Sequence, residues 1–471
     1  MTRIRTLLMC PAVAVLAVTA LGPGSAAADS WHGLGHDSYD RSLFIGVPTA
    51  SGSPGSAVVL DDSLFGYSLR NSTTYTRGEG VIPAPDDPYA EFFGTAFAHG
   101  DLDGDGHPEL VVGVKDESPV VIWGSPQGAA DEVLTIGVPN GYPAVGDFDG
   151  DGRQQLAVLG QDELTVYETF DGREAPAAER VIVDGARMPA HWGEWGEWTR
   201  SSPRGLIAAD FTGDGRDELV AHGAYASGGD LPPMSWASYF SGGEDGIAFD
   251  RYLYEKQGCH EPEGCYVHSA AAGDVNGDGA ADLVTAIGGI DRPGVDVYYG
   301  GSGGPADERE RFGRTALGLP VDEVVGETAR GDEGGWVVSV SDATGDGYAD
   351  LALGIPARMP ADFSLYAVGQ AVFVPGSATG FDPSGTREID LDTPGIPGTP
   401  DDQTWFGQDV QLIPADGLRP GWLAVSTRDG VVVLPVFRGG PVPRLARSFS
   451  AEDLHADDSD FHARDGYNLS S

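Results

Sequence analysis

One ten-residue stretch, DLDGDGHPEL from Asp101 to Leu110, limits what this chain can fold into more than any other. Acids stand at its first, third, fifth and ninth positions, glycines at its fourth and sixth, and the apolar run of Leu110 to Val114 follows at once. Hard cations take oxygen ligands, and a short loop supplies them from alternate positions when Gly lets the backbone turn sharply between them. The stretch reads as a calcium loop feeding a strand. Its side-chain ligands are Asp101, Asp103, Asp105 and Glu109, and the carbonyl of His107 makes a fifth.

The pattern returns as DFDGDGRQQL from Asp147, DFTGDGRDEL from Asp210, DVNGDGAADL from Asp274 and DATGDGYADL from Asp342, so the chain holds five copies. Two weaker echoes, SYDRSLFIGVP (Ser38 to Pro48) and PADGLRPGWLAV (Pro414 to Val425), keep the apolar run and lose most of the acids. Aligned on the leucine after the loop, the repeats fall at 43, 110, 156, 219, 283, 351 and 423, which makes seven. An EF-hand shares the early acids and the Gly, yet it needs a bidentate Glu at position twelve and flanking helices. The twelfth residues here are Val112, Val158, Ala221, Thr285 and Leu353, and the flanks read as strands. Metal-free Asp-Gly turns are the simpler alternative. Carboxylates this close repel unless a cation neutralises them, which favours the metal.

Between the loops the chain reads as short strands separated by Gly, Pro and Asp turns, with no long helical period. In the second unit Ala96 to His99 leads into the loop, Leu110 to Val114 leaves it, and Val120 to Trp123 and Val133 to Ile136 complete four strands. Four strands per repeat is the pattern of a propeller blade, whose two faces are buried only against neighbouring blades. The expected fold is an all-β, seven-bladed β-propeller with repeats near 29–80, 93–138, 140–190, 203–258, 266–312, 334–392 and 405–450. The first strand of the first unit is poorly defined. The tail Phe461 to Tyr467, FHARDGY, resembles a repeat lead-in and is expected to close the ring, within a segment near 459–467; an acidic disordered tail from Ala451 is the alternative.

The amino terminus has two arginines, a short apolar run from Leu7 to Val18 and the small residues Ser25 to Ala28, the pattern of a secretory signal peptide spanning 1–28. Cys10 precedes most of the apolar run and so does not read as a lipidated cysteine. A mature chain beginning near Asp29 loses Arg3 and Arg5, which takes the formal charge from -44 to -46. Such a surface repels nucleic acid and anionic lipid. No later stretch is long enough to span a bilayer, so no membrane insertion is expected after signal cleavage. In an exported protein Cys259 and Cys265, in GCHEPEGCY, read as a small disulfide loop; a metal site with His260 and His268 is the alternative.

These residues resemble the FG-GAP repeat family, also called VCBS-type repeats, known from the propellers of integrin alpha subunits. Phe93-Gly94 and Phe406-Gly407 match its FG element, and Gly46-Val47-Pro48 and Gly354-Ile355-Pro356 match its GAP element. Tyr266 stands in the Phe position of another repeat. The resemblance implies structural calcium in the loop between strands one and two, in up to five sites. It carries ligand roles to Asp147, Asp149 and Asp151; to Asp210, Thr212, Asp214 and Glu218; to Asp274, Asn276, Asp278 and Asp282; and to Asp342, Thr344, Asp346 and Asp350. Arg153, Arg216, Ala280 and Tyr348 would each offer a carbonyl. Gln155 stands where an acid is expected, so that loop should bind more weakly, and the two echoes should bind no metal.

On the face opposite the acidic loops the unusual sequence collects: Tyr89 to Phe93, His191 to Thr199, the loop at Cys259, Arg330 to Trp336, and Asp401 to Phe406. Functional loops on a rigid scaffold are the expected arrangement. Trp192, Trp195 and Trp198, spaced by three, suit a stacking platform for sugars or an apolar partner; packing between blades is the alternative. Arg330-Gly331-Asp332 and the elbow-like Gly300 to Gly304 read as chance matches, and Asn71-Ser72-Thr73 is a sequon only where glycosylation occurs. The reading is a secreted, extracellular, calcium-binding module for a glycan or protein partner, without a catalytic residue assigned. The alternatives are a carbohydrate-active lyase or hydrolase using His191, His222, His268 and Arg330, and a structural surface component.

Overall fold

The computed structural model describes residues 41–47, 55–63, 66–84, 93–114, 117–125, 132–139, 141–161, 163–168, 170–174, 176, 179–183, 191–192, 198–199, 201–225, 234–243, 246–255, 266–288, 293–319, 336–359, 364–417, 419–454 and 468–470. They form seven antiparallel sheets of four or more strands and one separate two-stranded ribbon. Blade 2 runs Phe93–Gly100, Glu109–Val114, Val120–Ile122 and Val133–Thr135, each strand paired with the next. Blades 3 to 7 repeat the order, opening with Tyr142–Gly146, Ser201–Ala209, Tyr266–Gly273, Val337–Ser341 and Val410–Ile413. Each opening strand enters an acidic loop or, in blade 7, its echo, so those loops share one face.

Blade 1 is built from both ends of the chain. Leu43–Val47 is its second strand, followed by Ser56–Leu60 and Ser72–Thr76, and Asn468–Ser470 pairs antiparallel with Leu43–Val47 through Phe44↔Ser470, Ile45↔Leu469 and Gly46↔Asn468. The strand-forming residues thus lie beyond FHARDGY, and residues 461–467 are outside those described.

The apolar runs are buried on both faces, because each sheet is packed on two sides. The buried side chains form seven clusters, each shared by two consecutive blades. The cluster of Leu43, Ile45, Val58 and Leu60 with Ile413, Trp422, Ala424 and Val433 joins blade 1 to blade 7 and completes the circle. Polar groups hold the same seam. Arg41 donates to Asp62 at 2.7 Å, to the carbonyl of Pro420 at 2.7 Å and to that of Pro414, while Tyr67 donates to the Arg41 carbonyl at 2.7 Å. First strands of consecutive blades adjoin, so they surround the axis.

The FG and GAP elements meet across blade boundaries. A Cβ on Gly354, in the GAP element of blade 6, would lie 2.2 Å from the carbonyl oxygen of Gly407, in the FG element before blade 7. Gly94 stands likewise against Gly46, where a Cβ would come within 2.8 Å of the Gly46 Cα. Gly94 and Gly407 also have φ of +92° and +83°, in the region that favours glycine. Two backbones touch at each site, and neither can make room for a methyl group. Phe93 and Phe406 beside them are buried. Among the described residues no helix is long and apolar enough to cross a membrane.

Gly354→Ala should therefore lower stability by about 1–3 kcal/mol, the range for overpacking. Gly137→Ala, where a Cβ would meet nothing within 4 Å, should be close to neutral. Urea denaturation of the two variants checks the difference.

Candidate functional site

The acidic loops owe their shape to the carboxylate at position one. Asp101 accepts from the backbone N–H of Asp105 at 3.1 Å and of Gly106 at 3.0 Å; Asp147, Asp210, Asp274 and Asp342 repeat this with Gly152, Gly215, Gly279 and Gly347 at 2.8–2.9 Å. The glycines at positions four and six have positive φ throughout, from +71° to +93°. Each loop is also tied to the next blade. The N–H groups of Asp217, Ala281, Ala349 and Ala415 donate to the carbonyls of Asp147, Asp210, Asp274 and Asp342 at 2.7–2.9 Å. In blade 2, Asp101 instead donates its N–H to Gln154 of blade 3 at 2.7 Å.

The ninth residue lies underneath. Glu109 accepts from the N–H of Leu102 at 2.7 Å and of Gly124 at 3.2 Å, joining its loop to the end of the third strand. Asp282 does the same with Val275 and Gly300 at 2.9 and 2.8 Å, and Asp350 with Thr344 and Gly376 at 2.9 and 3.1 Å. Glu218 accepts from Phe211 and from the Thr212 hydroxyl at 2.9 and 3.1 Å. Gly300 thus holds a carboxylate in place. Burial raises these carboxyls: Glu109 to about 8, Glu218 and Asp350 to about 7 and Asp282 to about 6, with the neighbouring loop acids adding to the rise and the hydrogen bonds opposing it.

The donor sets suit a hard cation. One oxygen each from Asp101, Asp103 and Glu109 lie within 4.8 Å of one another, as do those of Asp147, Asp149 and Asp151 and of Asp210, Asp214 and Glu218. In blade 4 the Arg216 guanidinium also bonds Asp214, at 2.6 Å. The blade 3 loop differs in its ninth residue. Gln155 Oε1 accepts from Phe148 N–H at 2.7 Å, as the carboxylates do, while its Nε2 donates to the Arg153 carbonyl at 2.9 Å and Asp149 Oδ1 at 3.3 Å. An amide N–H thereby points at two oxygens the cation would use.

On the opposite face, His191–Trp192 pairs with Trp198–Thr199 as a ribbon outside every blade, with Trp192 and Trp198 as register partners. Trp195, the cysteines 259 and 265, and Arg330 to Asp332 lie outside the described residues. Trp336, Trp405 and Phe406 are buried at 1%, 7% and 0% exposure, and Trp336 and Phe406 belong to clusters shared by neighbouring blades. His222 and His268, far apart in sequence, come together near the axis with Arg204, whose Nη1 lies 3.3 Å from His268 Nδ1. Tyr142 joins them, within the field of Arg204. Sequence reading missed Arg204 and Tyr142. Their one legible feature was the register, since Arg204, like His268, stands six residues before a loop aspartate and Tyr142 stands five before one.

The raised carboxyls set a pH dependence for the metal-free chain. Their folded values exceed the ordinary ones of 4.5 for Glu and 3.8 for Asp, so the native state holds these protons more tightly than the unfolded chain. Their contribution is full at low pH and is lost as pH rises through about 6 to 8. In a chelator the melting temperature should fall between pH 5 and pH 8; a rise would contradict these assignments.

A model of the FG-GAP-like repeat matches residues 101–158, the acidic loops of blades 2 and 3 with the strands between them. No curated protein matches the sequence. Among solved structures the chain is similar to an Agrocybe aegerita lectin described as recognising non-reducing terminal N-acetylglucosamine, at 13% identity and TM-score 0.49, covering 92% of this chain and 96% of that one. It is also similar to the BP39L lectin of Burkholderia pseudomallei, at 11% identity and TM-score 0.44 over 87% and 99% of the two chains. A third is the rhamnogalacturonan lyase YesW, at 14% identity and TM-score 0.35 over 85% and 71%. Likenesses this distant add nothing to the strand order. From that order the chain is a seven-bladed β-propeller, and its residues 101–158 match the FG-GAP-like repeat.

Proposed function

We propose that the protein is a secreted, calcium-stabilised propeller that binds a glycan through the face opposite its acidic loops. One observation carries this reading: the ribbon of His191–Trp192 and Trp198–Thr199 pairs with no blade and brings two tryptophans into register. Aromatic faces suit the apolar faces of sugar rings, and tryptophan is enriched where partners bind.

Calcium has the structural part in this proposal. Asp101, Asp103, Asp105 and Glu109 would hold it in blade 2, with Asp210, Thr212, Asp214 and Glu218, then Asp274, Asn276, Asp278 and Asp282, then Asp342, Thr344, Asp346 and Asp350 in blades 4 to 6. The ion supplies charge neutralisation, because it draws the loop acids together where they otherwise repel. At extracellular affinities of about 10⁻⁴ M, millimolar calcium adds roughly 1.4 kcal/mol per site. In blade 3 the Gln155 amide meets the same oxygens without a metal.

A glycan array of the protein in calcium, repeated with Trp192 and Trp198 replaced by Ala, tests the binding face. Retention of intact glycans that falls at least tenfold in the variants supports the reading. Cleaved products favour the enzyme that the grouping of His222, His268, Arg204 and Tyr142 would allow, and no retention of any glycan overturns the proposal.

A further inference from the structure

The seam between blades 7 and 1 keeps only the two weak echoes of the acidic loop, and its polar ties are made differently from those of the other blades. Counted back from the repeat leucine at position ten, Arg41 is the eighth residue of blade 1 and Pro414 the first of blade 7. In blades 4 to 6 the eighth residue, Asp217, Ala281 or Ala349, donates its backbone N–H to the first-position carbonyl of the blade before, at 2.7–2.9 Å. At the closing seam the same two positions are joined by a side chain, because the Arg41 guanidinium donates through Nη1 to the carbonyl of Pro414. Its Nη2 donates to the carbonyl of Pro420, in the same echo, at 2.7 Å.

The carboxylate has moved as well. In blades 2, 5 and 6 the ninth residue is an acid that accepts from the N–H two places beyond the third strand, on Gly124, Gly300 or Gly376. In blade 1 the ninth residue is Ser42, and the residue two places beyond the third strand, Ser56–Leu60, is Asp62. Asp62 accepts from Nε and Nη2 of Arg41 at 2.9 and 2.7 Å, and its neighbour Asp61 accepts from the Ser42 hydroxyl at 2.9 Å. The Arg41 and Asp62 side chains are 6% and 2% exposed. Arg419 of blade 7 stands 3.9 Å from Asp62 and pairs with Asp416. The carboxylates of Asp62 and Asp416 are thus balanced by two guanidinium groups of the chain itself.

We infer that Arg41 is a built-in cation that locks blade 7 to blade 1, so that the seam where the ring closes needs no calcium. This rests on the calcium reading above for the contrast with blades 2, 4, 5 and 6, whose loops would carry the ion. A tethered guanidinium is present whatever the ion concentration, whereas a site of about 10⁻⁴ M affinity empties as calcium falls. Five N–H donors in a rigid fork let one side chain hold a carboxylate and two carbonyls together, which a lysine cannot do as well. Removing one partner of a buried ion pair leaves an uncompensated charge, so the seam depends on both. Loss of calcium then loosens the acidic loops and leaves the ring closed.

The test is hydrogen exchange of the full chain, read by mass spectrometry at one pH in calcium and in chelator. In the wild type, chelation should speed exchange in Glu109–Val114, Glu218–Tyr225, Asp282–Gly288 and Asp350–Ile355 by about tenfold, the scale of one emptied site. It should leave the seam strands Leu43–Val47, Ser56–Leu60 and Gly430–Phe437 unchanged. Arg41→Gln should speed exchange in those seam strands by about tenfold or more, equally in calcium and in chelator. Asp62→Asn, which removes the counter-charge and leaves the guanidinium on its two carbonyls, should do the same to a smaller extent and decides the matter if Arg41→Gln does not fold. Seam strands that exchange faster in the chelated wild type overturn the inference, because the seam then needs the metal. Seam strands as well protected in the variants as in the wild type overturn it too, because Arg41 is then no lock. Chelation that alters no strand, with the seam still opened by the variants, removes the calcium reading and supports Arg41 as the lock.

Discussion

Everything in this structure depends on burying two faces of every sheet at once. A four-stranded sheet whose central strands are apolar on both sides has no stable form alone. Seven such sheets find one, because each covers its neighbour and the seventh meets the first through Trp422, Ile413, Leu43 and Ile45. The carboxyl-terminal Asn468–Ser470 supplies the strand beside Leu43–Val47, so the two ends of the chain are held in one sheet. Where blades come closest, backbone touches backbone, and the glycines Gly46, Gly94, Gly354 and Gly407 are the chemical form of that closeness.

The acidic loops are the second consequence of the ring. Each first strand must reverse at the same height, and the aspartate at position one shapes the reversal by collecting backbone N–H groups. The same residue's carbonyl, in blades 3 to 6, is tied to the following blade. Loop shape and blade spacing are therefore set by one residue. In blades 2, 5 and 6 the ninth residue, buried beneath, fastens the loop to the end of the third strand. Burial, with the neighbouring loop acids adding to it, raises the carboxyls of Glu109 and Glu218.

Much of this was legible in the sequence because the loop is local. Asp-x-Asp-Gly-Asp-Gly determines its own turn within ten residues, and the apolar run after Leu110 can only be a strand buried on both faces. Four strands of blade 2 fall where periodicity puts them, with shifts of one to three residues at their ends. What the sequence hid is nonlocal. Trp336, Trp405 and Phe406 stand among glycines, acids and polar residues in the sequence, and their burial is set by tertiary packing that no local pattern shows. Arg204, His222, His268 and Tyr142 are separated by up to 126 residues and meet only because three blades share an axis. Gln155 read as a missing ligand; its amide in fact bonds the oxygens a cation would take.

The central claim is that these loops are cation ties whose occupancy is set by the ninth residue. Native mass spectrometry of the folded protein in calcium, with Gln155→Glu beside the wild type, tests it most directly. The account predicts four bound ions in the wild type, one for each loop with a ninth-position acid, and five in the variant. An equal count in the two proteins, or no ions in either, would contradict it.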